Sequence, residues 1–139
     1  MSDNTWAAGL FEGEGTITLS KYPRSGKVYT RPVVTLTMTD RWVVDFFQSR
    51  WGGSIYEFQP KGNARLAWCW TLNSRRPIRA FLADVGVEFR TSRVRTKAAL
   101  LKEDMDDRVQ GSKNDDTYLD RCFERHLRMK ALNKRGLGS

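Results

Sequence analysis

Two carboxylates, Glu12 and Glu14, close a run in which small residues alternate with large apolar ones: Trp6-Ala-Ala-Gly-Leu-Phe-Glu-Gly-Glu-Gly15. At helical spacing Trp6, Gly9, Leu10 and Gly13 share one face. Two glycines fill a core poorly, but they let a second helix approach closely. The run therefore reads as a helix that packs tightly against another helix and delivers Glu14 to the end of that seam. It is too short and too acidic to span a bilayer. Taken alone, the same residues also suit an ordinary first helix with a glycine-rich C-cap.

A second group that could do chemistry is cationic. Arg90-Thr-Ser-Arg-Val-Arg-Thr-Lys97 leads into the apolar stretch Ala98-Ala-Leu-Leu101. On residue type alone Arg93, Arg95 and Lys97 suit phosphate contacts or a solvated face. The whole chain of 139 residues carries a formal charge of +8. Such a balance fits a polyanionic partner, nucleic acid or a membrane surface. Other chemistries are disfavoured. His126 is the one histidine and stands among charged helical residues, which argues against a histidine nuclease and a zinc site. Cys69 and Cys122 have neither metal-ligand spacing nor a disulfide framework, so a reducing, intracellular and cytoplasmic setting is expected. No signal peptide, membrane-spanning run or membrane partner is expected, and Gly136–Ser139 reads as a flexible tail.

The elements that must position these groups follow from periodicity. Thr16–Tyr22 alternates like a half-buried strand, Pro23-Arg-Ser-Gly26 is turn chemistry, and Lys27–Met38 is a second strand. Thr39 or Asp40 caps a helix with the core stripe Val43, Phe46 and Phe47, which stops at Gly52-Gly53. A second hairpin runs through Ser54–Gln59, turns at Pro60-Lys-Gly-Asn63 and returns through Ala64–Leu72, with Trp68 and Trp70 as core. A helix follows near Pro77–Val85. Gln110–Asp116 is a polar linker, and Asp115–Gly136 a final helix with Tyr118, Cys122, Leu127 and Met129 in partial period. The predicted class is α+β, four antiparallel strands in two hairpins with helices on one face and an extra C-terminal helix. The expected organisation is a single domain over residues 1–139, with a core over 5–101 and an extension over 102–136.

One face of the sheet must cover the helices, and the other is rich in polar side chains. Alternation assigns Thr16, Thr18, Ser20 and Tyr22, then Arg31, Val33, Thr35 and Thr37, to the open face. Arg65 and Cys69 are expected to share it, with Glu57 and Gln59 as further candidates. An antiparallel sheet of this kind fits the major groove, where such side chains reach base edges. Arg24, Lys27 and Lys61 near hairpin tips suit phosphates.

At Ala7–Gly15, AAGLFEGEG, the chain resembles the LAGLIDADG homing endonucleases: the nine-residue signature falls here without gaps. Its glycines are Gly9 and Gly15, and its acids Glu12 and Glu14. The chain departs in having Glu where Asp is commoner and Ala7 where Leu is commoner. The element order from Thr5 to Leu101 is also that of the family, α-β-β-α-β-β-α. The resemblance implies that the signature helix forms an interface between two halves through Trp6, Gly9, Leu10 and Gly13. It implies that Glu14 and the backbone carbonyl of Gly13 hold the divalent metals. It also implies a basic residue after the sheet that projects into the active site, for which Arg95 and Lys97, with Arg93, are the candidates; the family's usual Lys-x-x-Gln pattern is not reproduced.

Only one copy of the signature is present. One copy supplies half an active site, so a twofold-symmetric homodimer is expected. Two Glu14 carboxylates brought together repel unless cations neutralise them. Mg²⁺ fits that site, Mn²⁺ could substitute, and Ca²⁺ is expected to bind without supporting cleavage. The expected activity is site-specific, metal-dependent cleavage of double-stranded DNA at a long, roughly palindromic site. The alternative is a non-cleaving DNA- or RNA-binding relative, a maturase or transcription regulator.

Overall fold

The computed structural model describes residues 2–59, 61–62, 65–110 and 116–134. Parts of the expected second turn and return strand, the polar linker and the tail lie outside them. Among the described residues nine regular elements follow in chain order: α1 (Asp3–Glu14), β1 (Gly15–Arg24), β2 (Lys27–Met38), α2 (Arg41–Trp51), β3 (Ser54–Phe58), β4 (Ala67–Leu72), α3 (Arg75–Asp84), α4 (Ser92–Gln110) and α5 (Asp116–Asn133). A 3₁₀ turn, Gly86–Glu88, lies between α3 and α4. The strands form one antiparallel sheet in the order β1-β2-β4-β3. Among the described residues no helix is long and apolar enough to cross a membrane.

The class and the element order through α3 match expectation. Helix α4 is a continuous 19-residue helix that crosses the expected boundary between core and extension at residue 101, and the other differences sit at element ends. The first hairpin turns on two residues rather than four. Ser25 and Gly26 both have positive φ, 53° and 77°, as the favoured two-residue hairpin turn requires. Strand β3 ends at Phe58, not Gln59, and β4 begins at Ala67. Helix α3 begins two residues before Pro77, which is tolerated because the first helical N–H groups have no partner to lose.

By compactness the chain divides into two units, residues 1–16 with 34–90, and residues 17–33 with 91–139. The first has an aromatic core. Phe47, Trp70 and Phe81 are fully buried, with ring centroids 5.1 Å apart for Phe47 and Trp70 and 5.5 Å for Trp70 and Phe81. Trp51 joins them edge-on to Phe81 at 5.0 Å. The indole N–H groups are satisfied: Trp70 donates to the Gly52 carbonyl at 2.7 Å and Trp51 to Asp84 at 2.9 Å. Trp68, expected in the core, is only half-buried, with the Arg41 guanidinium 5.8 Å from its ring.

The second unit adds a buried polar network to an apolar core that includes Ile17, Leu19, Leu101, Met105 and Tyr118. Asp104 on α4 is fully buried and accepts from Thr30 on β2 at 2.8 Å and from Arg125 on α5 at 2.6 Å. Arg125 also reaches Asp107 at 2.8 Å, and Arg121 grips Asp107 with two bonds of 2.9 Å. The Arg121 hydrogen bonds, aided by Arg125, hold the Asp107 carboxyl below its usual range. The α5 stripe is therefore Tyr118, Cys122, Arg125 and Met129. Leu127, expected in that stripe, is 47% exposed. Periodicity favoured the leucine because burial of an arginine requires carboxylates that lie on another helix. Two further α5 side chains serve backbone carbonyls of β1: His126 Nδ1 meets Leu19 at 2.7 Å and Asn133 donates to Ile17 at 2.9 Å. The carbonyl only accepts, so Nδ1 carries the proton. These bonds occupy acceptors that an edge strand otherwise leaves open.

Candidate active site and nucleic-acid interface

Helix α1 is started by Ser2, whose hydroxyl accepts from the Thr5 N–H at 3.1 Å, with Asp3 in the first turn. It buries Ala7, Ala8 and Phe11 and ends at Glu14, where the Gly15 N–H still bonds the Phe11 carbonyl. A Cβ at position 15 would collide with the buried Phe11 ring, so glycine is the residue that lets the chain pass from helix to strand there.

The two acids of the signature part company. Glu12 is half-buried and accepts from the Arg90 N–H at 2.8 Å, tying α1 to the end of the first unit. Glu14 is exposed, and among the described residues no hydrogen bond or ion pair occupies its carboxylate. Gly9 and Gly13 are exposed too, and a Cβ added at either meets nothing within 4 Å. The molecule's own packing therefore does not require these glycines. Leu10 is half-buried beside them. Trp6 is drawn the other way, stacked on Trp42 at 5.7 Å and edge-on to Phe46 at 5.3 Å.

Of the three cations near the start of α4, the structure separates one from the others. Arg93 donates to the Leu132 carbonyl at 2.8 Å, closing the end of α5. Arg95 is exposed. Lys97 is half-buried, and that burial, with the charge of Arg93 nearby, pulls its ammonium below the usual lysine value of 10.5. Among the described residues no carboxylate or carbonyl holds it, and a perturbed amine is a recurrent mark of functional sites.

The open face of the sheet is largely as alternation assigned it. On β1, Thr18, Ser20 and Tyr22 alternate with buried Ile17 and Leu19. On β2, Arg31, Val33, Thr35 and Thr37 alternate with buried Thr30, Val34 and Leu36. Arg24, Lys61 and Arg65 are exposed and Lys27 half-exposed. Cross-strand register places Cys69 opposite Thr37, hence on this face. Its side chain is only 4% exposed, because Tyr56 stands directly opposite it on β3. A hydrogen bond with the Cys69 thiol, and then burial, hold the Tyr56 phenol above its ordinary range.

Register also corrects β3. Glu57 pairs with Trp68 and lies on the helix-covered face, whereas Tyr56 and Phe58 share the open face with Cys69 and Ala67. Both aromatics are strongly exposed, 52% and 46%. Sequence reasoning passed over them because a five-residue edge strand carries too few positions to fix its own phase. Pairing with β4, whose burial pattern is unambiguous, fixes it.

No protein-family model matches the chain. It is 35% identical over 68 residues to an intron-encoded RNA maturase, bI4, of Saccharomyces cerevisiae, covering 48% of this chain and 10% of that one. It is 29% identical over 91 residues to a probable intron-encoded endonuclease, aI2, of Debaryomyces hansenii, covering 58% of this chain and 13% of that one. The chain thus spans about a tenth of the length of these relatives. Among solved structures, an archaeal intron-encoded homing endonuclease complexed with DNA, I-Vdi141I, superposes with a TM-score of 0.77 over 96% of this chain and 85% of that one, at 18% identity. The LAGLIDADG homing endonuclease I-GzeII, in complex with its DNA target, superposes with a TM-score of 0.69 at 12% identity, and there 94% of this chain overlies 44% of that one. The fold is that of the LAGLIDADG homing endonucleases, and the resemblance read from AAGLFEGEG stands.

Proposed function

We propose that the chain is one half of a site-specific, metal-dependent double-strand DNA endonuclease. The observation that carries this reading is Glu14: an exposed carboxylate, uncommitted among the described residues, at the end of a helix whose glycine face no described residue packs against. A second signature helix laid on that face brings a second Glu14 beside the first. The overlap of nearly the whole chain with 44% of I-GzeII supports a site completed by a second copy, in a homodimer cutting a roughly palindromic sequence.

The donor set fits a hard divalent ion. Among the described residues no group of three or more His, Cys, Asp or Glu could hold a metal within one chain. Two Glu14 carboxylates and two Gly13 carbonyls, one of each per copy, supply oxygen ligands and leave places for water and phosphate. Mg²⁺ bound there would activate a water and stabilise the leaving oxygen. The family resemblance makes Lys97 and Arg95 the candidates for the basic residue that acts on the phosphate. The open sheet face, Thr18 to Thr37 with Arg65, reads base edges, while Arg24, Lys27 and Lys61 take phosphates. Cys69 supports Tyr56 on that face.

Glu14→Gln keeps shape and removes charge. DNA binding should stay within a few-fold of wild type, while cleavage slows at least ~10²-fold, since metal-centred stabilisation supplies several kcal/mol. The assay is a randomised plasmid library with Mg²⁺, read by sequencing the ends. Unchanged cutting by the variant removes Glu14 from the mechanism. A second reading, RNA or DNA binding without cleavage, draws on the maturase relative and on Tyr56 and Phe58, whose exposed rings suit stacking on unpaired bases. Specific binding with no cut ends in the same assay decides for it.

A further inference from the structure

Arg31 and Tyr22 form the tightest cation–aromatic contact among the described residues. The Arg31 guanidinium carbon lies 4.1 Å from the centre of the Tyr22 ring. The other arginine–ring contacts, at 5.4 to 5.8 Å, are looser. Both side chains stand on the open face of the first hairpin and are half-buried. Among the described residues no carboxylate or carbonyl occupies the Arg31 donors.

A guanidinium held 4.1 Å over a ring is confined by it, while its N–H groups, which lie in its own plane, keep their donors for another partner. The ring therefore fixes the direction of the fork without consuming it. An arginine so held loses less rotamer freedom when it binds than one swinging in water. Its place on the strand matters as well. Arg31 is mid-strand, away from the Ser25–Gly26 turn, and its companions on that face, Ser20, Thr18 and Val33, are short. Tyr29 shares that face as well. On the reading of this face as the DNA-binding one, a mid-strand position lies toward base edges rather than the phosphates that hairpin tips reach. There the partner matched to a planar, two-pronged donor is the O6 and N7 edge of guanine.

We propose that Tyr22 and Arg31 act as one unit that selects guanine at a fixed position of the bound duplex, Arg31 making the contact and Tyr22 acting as the positioning residue. This rests on the reading of the sheet as a DNA-binding face and deepens it to one base and one residue pair.

The test is selection from a randomised duplex library by the full chain, run for wild type, Arg31→Ala, Arg31→Lys, Tyr22→Leu and Tyr22→Phe. Wild type should show one guanine position per half-site, preferred about 5- to 150-fold over other bases. Arg31→Ala should lose that preference and leave other positions unchanged, and Arg31→Lys should weaken it, because an ammonium on a flexible stem can reach O6 and N7 but is not a planar fork pre-set by the ring. Tyr22→Leu should lower the preference about two- to fivefold, and Tyr22→Phe should restore it, since the ring and not the hydroxyl holds the cation. Replacing the selected guanine by 7-deazaguanine should reproduce Arg31→Ala. Uniform weakening at every position by Arg31→Ala would make the residue a phosphate contact and overturn the proposal. So would an unchanged profile in Tyr22→Leu. If wild type selects no duplex at all, the DNA-binding reading fails first, an outcome distinct from either of these.

Discussion

The two compact units bury helices on strand surfaces with different emphases, one closing on aromatic rings and the other adding a buried ion network to its apolar core. Residues 1–16 and 34–90 rely on Phe11, Phe47, Trp51, Trp70, Phe81 and Phe89, all buried. Residues 17–33 and 91–139 rely on Asp104, Arg125, Thr30 and the Asp107–Arg121 pair. Aromatic packing is non-directional and tolerates adjustment. A buried ion network is directional: its members must all be present, because each desolvated charge is compensated only by its partners. The first strategy provides a firm base for the signature helix. The second fixes the register of α4 and α5 against the first hairpin, the one that carries Arg31.

The largest effects should separate these strategies. Trp70→Ala removes a fully buried ring and should cost about 3–5 kcal/mol. Asp104→Ala leaves Arg125 buried and short of a carboxylate, and should cost a similar ~3–5 kcal/mol. The two differ in rescue. Asp104→Leu combined with Arg125→Met removes both charges and should recover most of the loss, whereas no second change should recover Trp70→Ala. Urea denaturation of the four proteins decides it. A double variant as unstable as Asp104→Ala would mean that the network contributes more than compensation of its own burial.

Lys97 belongs to the polar unit but is predicted to act in chemistry. Its pKa is lowered by burial and then by Arg93, so in the window below 10.5 the unfolded chain holds a proton that the folded chain has released. Stability should therefore rise with pH through that window, and Lys97→Met should abolish the rise without destabilising the fold at neutral pH. Cleavage should move oppositely, falling as pH climbs through the same window and the cation is lost. Lys97→Met should cut about 10²-fold more slowly, while Lys97→Arg, charged throughout, should keep residual activity to higher pH. A destabilised Lys97→Met would mark the residue as structural.

A smaller effect tests the polar unit at acid pH. Asp107 is held below its ordinary 3.8, chiefly by hydrogen bonds from Arg121. The stabilisation is complete above 3.8 and is lost as pH falls through the depressed folded value. Arg121→Gln should flatten the stability profile below about pH 4, leaving its shape near neutrality unaltered. An unchanged acid limb would show that Arg125 alone sustains the carboxylate.

The sequence was most legible where periodicity meets glycine and turn chemistry. The helix ending at Glu14, the strand Lys27–Met38 and the stop at Gly52 all carry their own punctuation. The open faces of β1 and β2 were legible because both strands are long. Strand β3 was not, since its phase comes from pairing with β4. Arg125 was hidden for a related reason: nothing local tells a buried arginine from a solvated one when its carboxylates lie about 20 positions upstream. The candidate site was legible in Glu14, Gly9 and Gly13. The difference between Arg93 and Lys97 was not, because it depends on the end of α5 accepting one of them.

The smallest predicted effect bears on the one surface of the aromatic unit that aromatic packing does not explain. Gly9 lies in mid-helix, where glycine is less favourable than alanine by about 0.8–1 kcal/mol. A methyl group there meets nothing within 4 Å among the described residues. For an isolated copy, Gly9→Ala should therefore raise thermal stability by up to that amount. If the face exists to let a second signature helix approach, the same methyl group lies in the seam and should weaken self-association, while Gly9→Leu should abolish it and cleavage with it. The two readouts have opposite signs, which general damage to the fold cannot produce. Analytical ultracentrifugation with and without DNA, beside a thermal melt, measures both. A Gly9→Ala protein that is more stable and associates as wild type does would separate the glycine face from assembly, and the second Glu14 would then have to reach the site by another route.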